Sequence, residues 1–84
     1  MSEATENRPL TFGERAVGLS FNPSQNEDVK KIKEQYAAII DNLQNLREQA
    51  TDPEVGRQLS VAITESQTAQ MWAVKAVTWN FGAK

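Results

Sequence analysis

The chain has 84 residues, no cysteine and no histidine, with a formal net charge of −2 and a sequence pI of about 5.0. That leaves room for one small domain and excludes disulfides, thiolate or imidazole chemistry and nearly every zinc site. The acidic balance argues against a general affinity for DNA or RNA, and no stretch approaches the roughly 20 apolar residues of a bilayer span. The opening segment MSEATENRPL is acidic and polar, unlike a signal peptide, so a soluble, unexported chain is expected. So small a core, without a covalent staple, points to subunit association as the remaining source of stability.

In chain order, residues 1–9 read as a flexible terminus and 10–84 as a single helical-hairpin domain. TFGERAVG, from Thr11 to Gly18, predicts a short helix: Thr11 caps it, Glu14 follows three residues on, and Gly18 ends it. LSFNPSQNED is a loop, with Asn22 extended because proline follows it. Ser24 or Asn26 then caps a long helix running from about Gln25 to Gln49, with Glu27 and Asp28 in the dipole-favoured first turn. Val29, Ile32, Tyr36, Ile39, Ile40, Leu43 and Leu46 recur at spacings of three and four, a core-facing stripe.

Thr51-Asp52-Pro53-Glu54 stops that helix and starts another, with Thr51 or Asp52 as the cap and Pro53 in the first turn. The connection is so short that the two long helices must pack as an antiparallel αα-hairpin. Between Arg57 and Val77 there is neither Gly nor Pro. Leu59, Ala62, Ile63, Ala69, Ala73, Ala76 and Val77 share one broad face, while Val61, Met71, Trp72 and Val74 point elsewhere. A helix that is apolar on several sides must be covered on several sides, and one partner helix covers one of them. The fold class is therefore all-α: a short N-terminal helix plus the hairpin, assembling into a compact homo-oligomer. The tail TWNFGAK, carrying Trp79 and Phe81, is expected to fray after Gly82.

Enzyme signals are weak. There is no HExxH, no phosphate-binding glycine loop, no GxGxxG and no nucleophile with a base, so catalysis, a metal and a cofactor are not expected. Binding signals are better. The loop Gly18–Ser24 presents Ser20, Phe21 and Asn22 just before a helix N-terminus, where free N–H groups suit phosphates. Phe21 is able to stack on a base or, alternatively, to plug the hairpin core. Lys30, Lys31 and Lys33 follow it. Lys33 borders the apolar stripe, where a lysine can lay its stem along a seam and present its ammonium to a phosphate, or form an ordinary ion pair. Arg57, Ser60 and Thr64 lie close to one helical line. They suit either an anion site between subunits or a wet face. Trp72 and Met71 suit core or subunit contact better than a ligand platform.

Two segments, GERAVGLSFNPSQNEDVKKIKEQYAAIID and GRQLSVAITESQTAQMWAVKAVTW, together resemble the small helical-hairpin proteins of bacteriophages known as anti-CBASS cyclic-nucleotide sponges. Related hairpins occur in phage proteins that sequester the signals of Thoeris defence. The resemblance covers about residues 12–79 and implies a homohexamer in the host bacterial cytoplasm. It also implies that cyclic dinucleotides are gripped between protomers by an aromatic ring on the base and a lysine on the phosphates. A separate pocket class takes cyclic trinucleotides, and no bond is broken. Matched residue by residue, the lysine falls on Lys33. The aromatic falls on Phe21, with Phe12 as the alternative because a gap is needed. Arg57 and Thr64 are assigned to the second pocket class by position and chemistry. No membrane and no DNA or RNA polymer are expected as partners. The alternatives are a sponge for cyclic ADP-ribose signals or a helical adaptor docking a host protein through Trp72, Trp79 and Phe81.

Overall fold

The computed structural model describes residues 8–23 and 25–80. It is built from three helices: α1, Phe12–Val17; α2, Glu27–Gln49; and α3, Pro53–Val77. Among the described residues there is no strand.

α1 has only six residues, too few to be stable alone, and both its ends are tied. The Thr11 hydroxyl accepts from the Glu14 N–H, and the Glu14 carboxylate accepts from the Thr11 N–H, each at 3.0 Å. Gly18 ends the helix at φ 64°, a left-handed conformation that glycine adopts without strain. Arg8 donates to both oxygens of Glu14 at 2.7 and 2.8 Å. That contact, with the Thr11 backbone N–H next, pulls the Glu14 carboxyl down to about 2. Of the expected flexible terminus, residues 1–7 lie outside the described residues, while Arg8 is held by this pair.

Gly13 decides how closely α1 approaches α2. A Cβ at this position would lie 2.1 Å from the Ala37 carbonyl oxygen, a separation no real side chain tolerates. Without one, the Gly13 N–H donates to Asp41 Oδ1 at 2.7 Å. The contact seats Val17 in a core with Ala37, Ile40 and Ile63, flanked by Ala16, Leu19, Tyr36 and Leu43.

α2 begins two residues later than its sequence suggests. Gln25 has φ 54°, which no right-handed helix accommodates, and Asn26 is the cap. The Asn26 side chain accepts from the N–H groups of Asp28 and Val29 at 2.8 and 3.1 Å. The alternative cap, Ser24, lies outside the described residues. At the hairpin turn Asp52, rather than Thr51, caps α3 by accepting from the Glu54 N–H at 2.9 Å, with Pro53 in first place. Arg47 of α2 ties the helices together by donating to Ser60 Oγ at 3.0 Å.

The long helices bury only part of the faces that their patterns suggest. In α2 the buried edge is Val29, Lys33, Ala37 and Ile40. Ile39 and Leu46 are nearly half exposed, and Ile32, Tyr36 and Leu43 are half-buried. The stripe is thus two edges wide, and α1 and α3 cover only the inner one. In α3, Ile63 and Gln70 are buried, whereas Ala69, Ala76 and Val77 are exposed. The inward face is rotated toward Ser60, Gln67 and Val74, so Val74 is half-buried instead of pointing away. Met71, Trp72 and Trp79 are exposed on the single chain, which rules out a place in its own core for Trp72 and Met71. The chain continues past α3 to Asn80, with the Thr78 hydroxyl bonded to the Val74 carbonyl at 2.7 Å; Phe81 and Gly82 lie outside the described residues.

Candidate functional site

The site grows from the junction of α1 and α2. Gly18 reverses the chain, and the following loop lies back along the first two turns of α2. There it meets Lys33. The Lys33 ammonium donates to the Gly18 carbonyl at 2.9 Å and to the Phe21 carbonyl at 2.5 Å. It also sits 5.5 Å from the centroid of the Phe21 ring. The side chain is 5% exposed, and burial pushes its pKa below the ordinary lysine value. Among the described residues no carboxylate lies within ion-pair distance of it. An ammonium has three N–H donors, and two carbonyls leave one for a further acceptor. A buried cation without a counter-ion favours an arriving anion.

The Phe21 ring is 73% exposed, so it does not plug the hairpin core. Lys33 occupies one side of the ring and leaves apolar surface open to solvent. Ser20 is exposed beside it. Asn22 is engaged within the loop: its Nδ2 donates to the Asn26 carbonyl at 2.9 Å, and its Oδ1 accepts from the Asn26 N–H at 3.1 Å. Lys30 and Lys31, one turn away, are exposed. The structure therefore brings Ser20, Phe21, Asn22 and Lys33 together.

Among the described residues, neither Arg57 nor Thr64 shares a hydrogen bond or ion pair with them. Lys33 is about 24 Å from the hairpin turn, at ~1.5 Å rise per residue, whereas Arg57 lies about one turn beyond it. Arg57 is exposed and donates to both oxygens of Glu54 at 3.0 and 2.7 Å. That pair raises the Arg57 pKa and lowers that of Glu54. Thr64 is exposed, and its carbonyl accepts from the Thr68 hydroxyl at 3.2 Å. Ser60 is half-buried and holds Arg47, so it does not form one outward line with the other two. Phe12, the alternative aromatic, packs under Arg47 at 5.7 Å.

Sequence reasoning missed the carbonyls that hold Lys33. Backbone acceptors carry no residue signature, and only the Gly18 stop signal hinted that the chain returns along α2. Arg47, which links all three helices, was also missed. Among the described residues no cluster of Asp and Glu could hold a metal ion, and no helix is long and apolar enough to cross a membrane.

A buried ammonium with no carboxylate partner among the described residues, beside an exposed ring, has chemistry that suits an anionic, ring-bearing ligand. The family model for the Acb2/Tad1 hairpin domain matches residues 14–78, most of the chain, and the chain belongs to that family. The family is that of the phage anti-CBASS and anti-Thoeris sponges, associated with binding cyclic oligonucleotides. Comparison with curated proteins and with solved structures gives no match.

Proposed function

We propose that this chain sequesters cyclic oligonucleotide second messengers, cyclic dinucleotides foremost, without cleaving them. Bound signal is withheld from the CBASS effector of an infected bacterium, and the protein works in the host cytoplasm. The observation that carries this reading is the pairing of Lys33 with Phe21: a phosphate takes the remaining N–H of the ammonium while a base stacks on the exposed ring.

Magnitudes indicate how the pocket is completed. A base on an aromatic ring contributes roughly 1–3 kcal/mol, and a hydrogen bond to a charged group about 1.5–3 kcal/mol. Nanomolar affinity corresponds to about 12 kcal/mol, so one Lys33–Phe21 pair supplies at most half of it. A pocket shared between protomers supplies more and is organised before the ligand arrives. The exposed outer edge of α2 and the aromatic end of α3 support such an assembly, which we assign as a homohexamer of antiparallel hairpins. Arg57, in the second turn of α3, and Thr64, near its middle, belong to a separate cyclic trinucleotide pocket.

The family model spans both sponge types, which keeps a cyclic ADP-ribose signal as the second reading. Calorimetry against cyclic dinucleotides, cyclic trinucleotides and cyclic ADP-ribose isomers separates them, followed by heat denaturation and chromatography of the released ligand. Tight binding with intact release is expected for a cyclic dinucleotide. A cleaved ligand, or no binding across the panel, overturns the reading. In the latter case the exposed Trp72 and Trp79 direct the search to a protein partner.

A further inference from the structure

The loop between α1 and α2 is fastened to α2 at two points. At one end, Lys33 holds the Gly18 and Phe21 carbonyls. At the other, Asn22 and Asn26 bond reciprocally, and Asn26 caps α2 through Asp28 and Val29. The Gln25 N–H donates to the Asn22 carbonyl at 2.9 Å, and the Phe21 N–H donates to the Gly18 carbonyl at 2.9 Å. Phe21 therefore sits between two fixed points although its ring is largely in solvent. An exposed phenylalanine with no such fastening would sample many positions, and a ligand would have to order it on binding.

We infer that Asn22 is a positioning residue: its side-chain amide, locked across Asn26, sets the loop so that Phe21 and Lys33 are presented as one preformed unit. The amide has the chemistry this needs. It donates and accepts at once, matching the Asn26 carbonyl and N–H together, which neither a carboxylate nor a hydroxyl reproduces in the same geometry. Both of its described bonds run to backbone, so its part in binding is exerted through Phe21. The left-handed Gln25, strained for a non-glycine residue, is held in the same turn. This inference rests on the sequestration reading for its purpose, but the clasp itself can be tested without ligand.

The ligand-free test compares Asn22→Ala with Ile63→Val, a core substitution in α3 used as a stability control, in the full chain. Lys33 is followed by NMR titration of its side chain. Releasing the loop exposes the ammonium, so in Asn22→Ala the Lys33 titration should move upward toward an ordinary lysine, whereas Ile63→Val leaves it in place. An unmoved Lys33 in Asn22→Ala overturns the inference whatever the protein binds.

The ligand arm uses 3′,3′-cyclic GMP–AMP and cyclic di-AMP in a double-mutant cycle with Phe21→Ala. Asn22→Ala should weaken binding about tenfold in the wild-type background and have little further effect once Phe21 is alanine. Full additivity would mean that Asn22 does not act through the ring, and the positioning role would fall. If the wild-type chain binds neither probe while Lys33 still responds to Asn22→Ala, the cyclic-dinucleotide reading falls, and with it the positioning role at that ligand. The clasp would then remain as a structural feature only.

Discussion

Replacing Lys33 with methionine isolates the ammonium, because methionine keeps an unbranched apolar stem of similar length. The substitution removes hydrogen bonds to the Gly18 and Phe21 carbonyls. Bonds to a charged group are worth roughly 1.5–3 kcal/mol each, but both carbonyls belong to a solvent-bordering loop and recover water, and the cost of burying a charge disappears. The net loss should be about 1–2 kcal/mol, which lowers the melting temperature by roughly 4–16 °C for a domain of this size. Ligand affinity should fall roughly 10- to 150-fold, the equivalent of one charge-assisted bond. Calorimetry and thermal denaturation on the same samples read both effects. Lys33→Ala is a poorer test, because it also empties space in the buried edge of α2.

The titration of Lys33 gives a second check. Its pKa is lowered in the folded chain, so between that value and the ordinary 10.5 the unfolded chain holds a proton that the folded one has released. Stability from this group therefore rises with pH across that window. A bound phosphate favours the charged ammonium, so binding in alkaline buffer should take up protons, visible as a dependence of the heat on buffer ionisation. A Lys33→Met protein with unchanged melting temperature, affinity and proton uptake would refute the reasoning.

Three further outcomes follow from the fold. Gly13→Ala should destabilise by at least about 2 kcal/mol, because the backbone carbonyl of Ala37 cannot move aside, whereas Gly56→Ala, with nothing within 4 Å of the added carbon, should stabilise by about 0.5–1 kcal/mol. Equal melting temperatures for the pair would contradict the α1–α2 crossing. Acid should loosen α1: the Glu14 carboxyl is lowered from 4.5 to about 2, so its contribution is complete above about pH 4.5 and is lost as pH falls through 2. Glu14→Gln should flatten that part of the pH–stability curve. Finally, Ile39→Asp on the exposed edge of α2 should break the proposed assembly in light scattering while leaving helicity unchanged. Dilution of the wild-type chain should red-shift the emission of its two tryptophans, Trp72 and Trp79, if they lie between subunits; a dilution-independent spectrum with a monomeric mass would remove the oligomer.

The ends of the helices were legible in the sequence because they are local. The Thr11–Glu14 box and Gly18 are found where residue chemistry placed them, and Asn26 and Asp52 are each one of the two caps that the sequence offered at their helix starts. The candidate site was legible only in part. Phe21 and Lys33 stood out as an aromatic and a cation near one helix start, but a position at the border of a stripe says nothing about which carbonyls an ammonium will meet. Arg57 and Thr64 looked like neighbours of Ser60 on a helical line, yet Ser60 is drawn inward by Arg47, a contact between helices that spacing along one helix cannot reveal.

Helical periodicity by itself determined that this chain is a hairpin with more apolar surface than one hairpin covers. Which part of that surface is covered was decided by tertiary contact. Seven apolar positions of α2 formed one stripe on paper. The close approach of Gly13 to Ala37 brings α1 down on one side of that stripe, burying Lys33 and leaving Ile39 and Leu46 open. The physical reason is that periodicity reports the direction of a side chain about its own axis, whereas burial depends on where another backbone comes close. Here that closeness rests on the absence of a single Cβ.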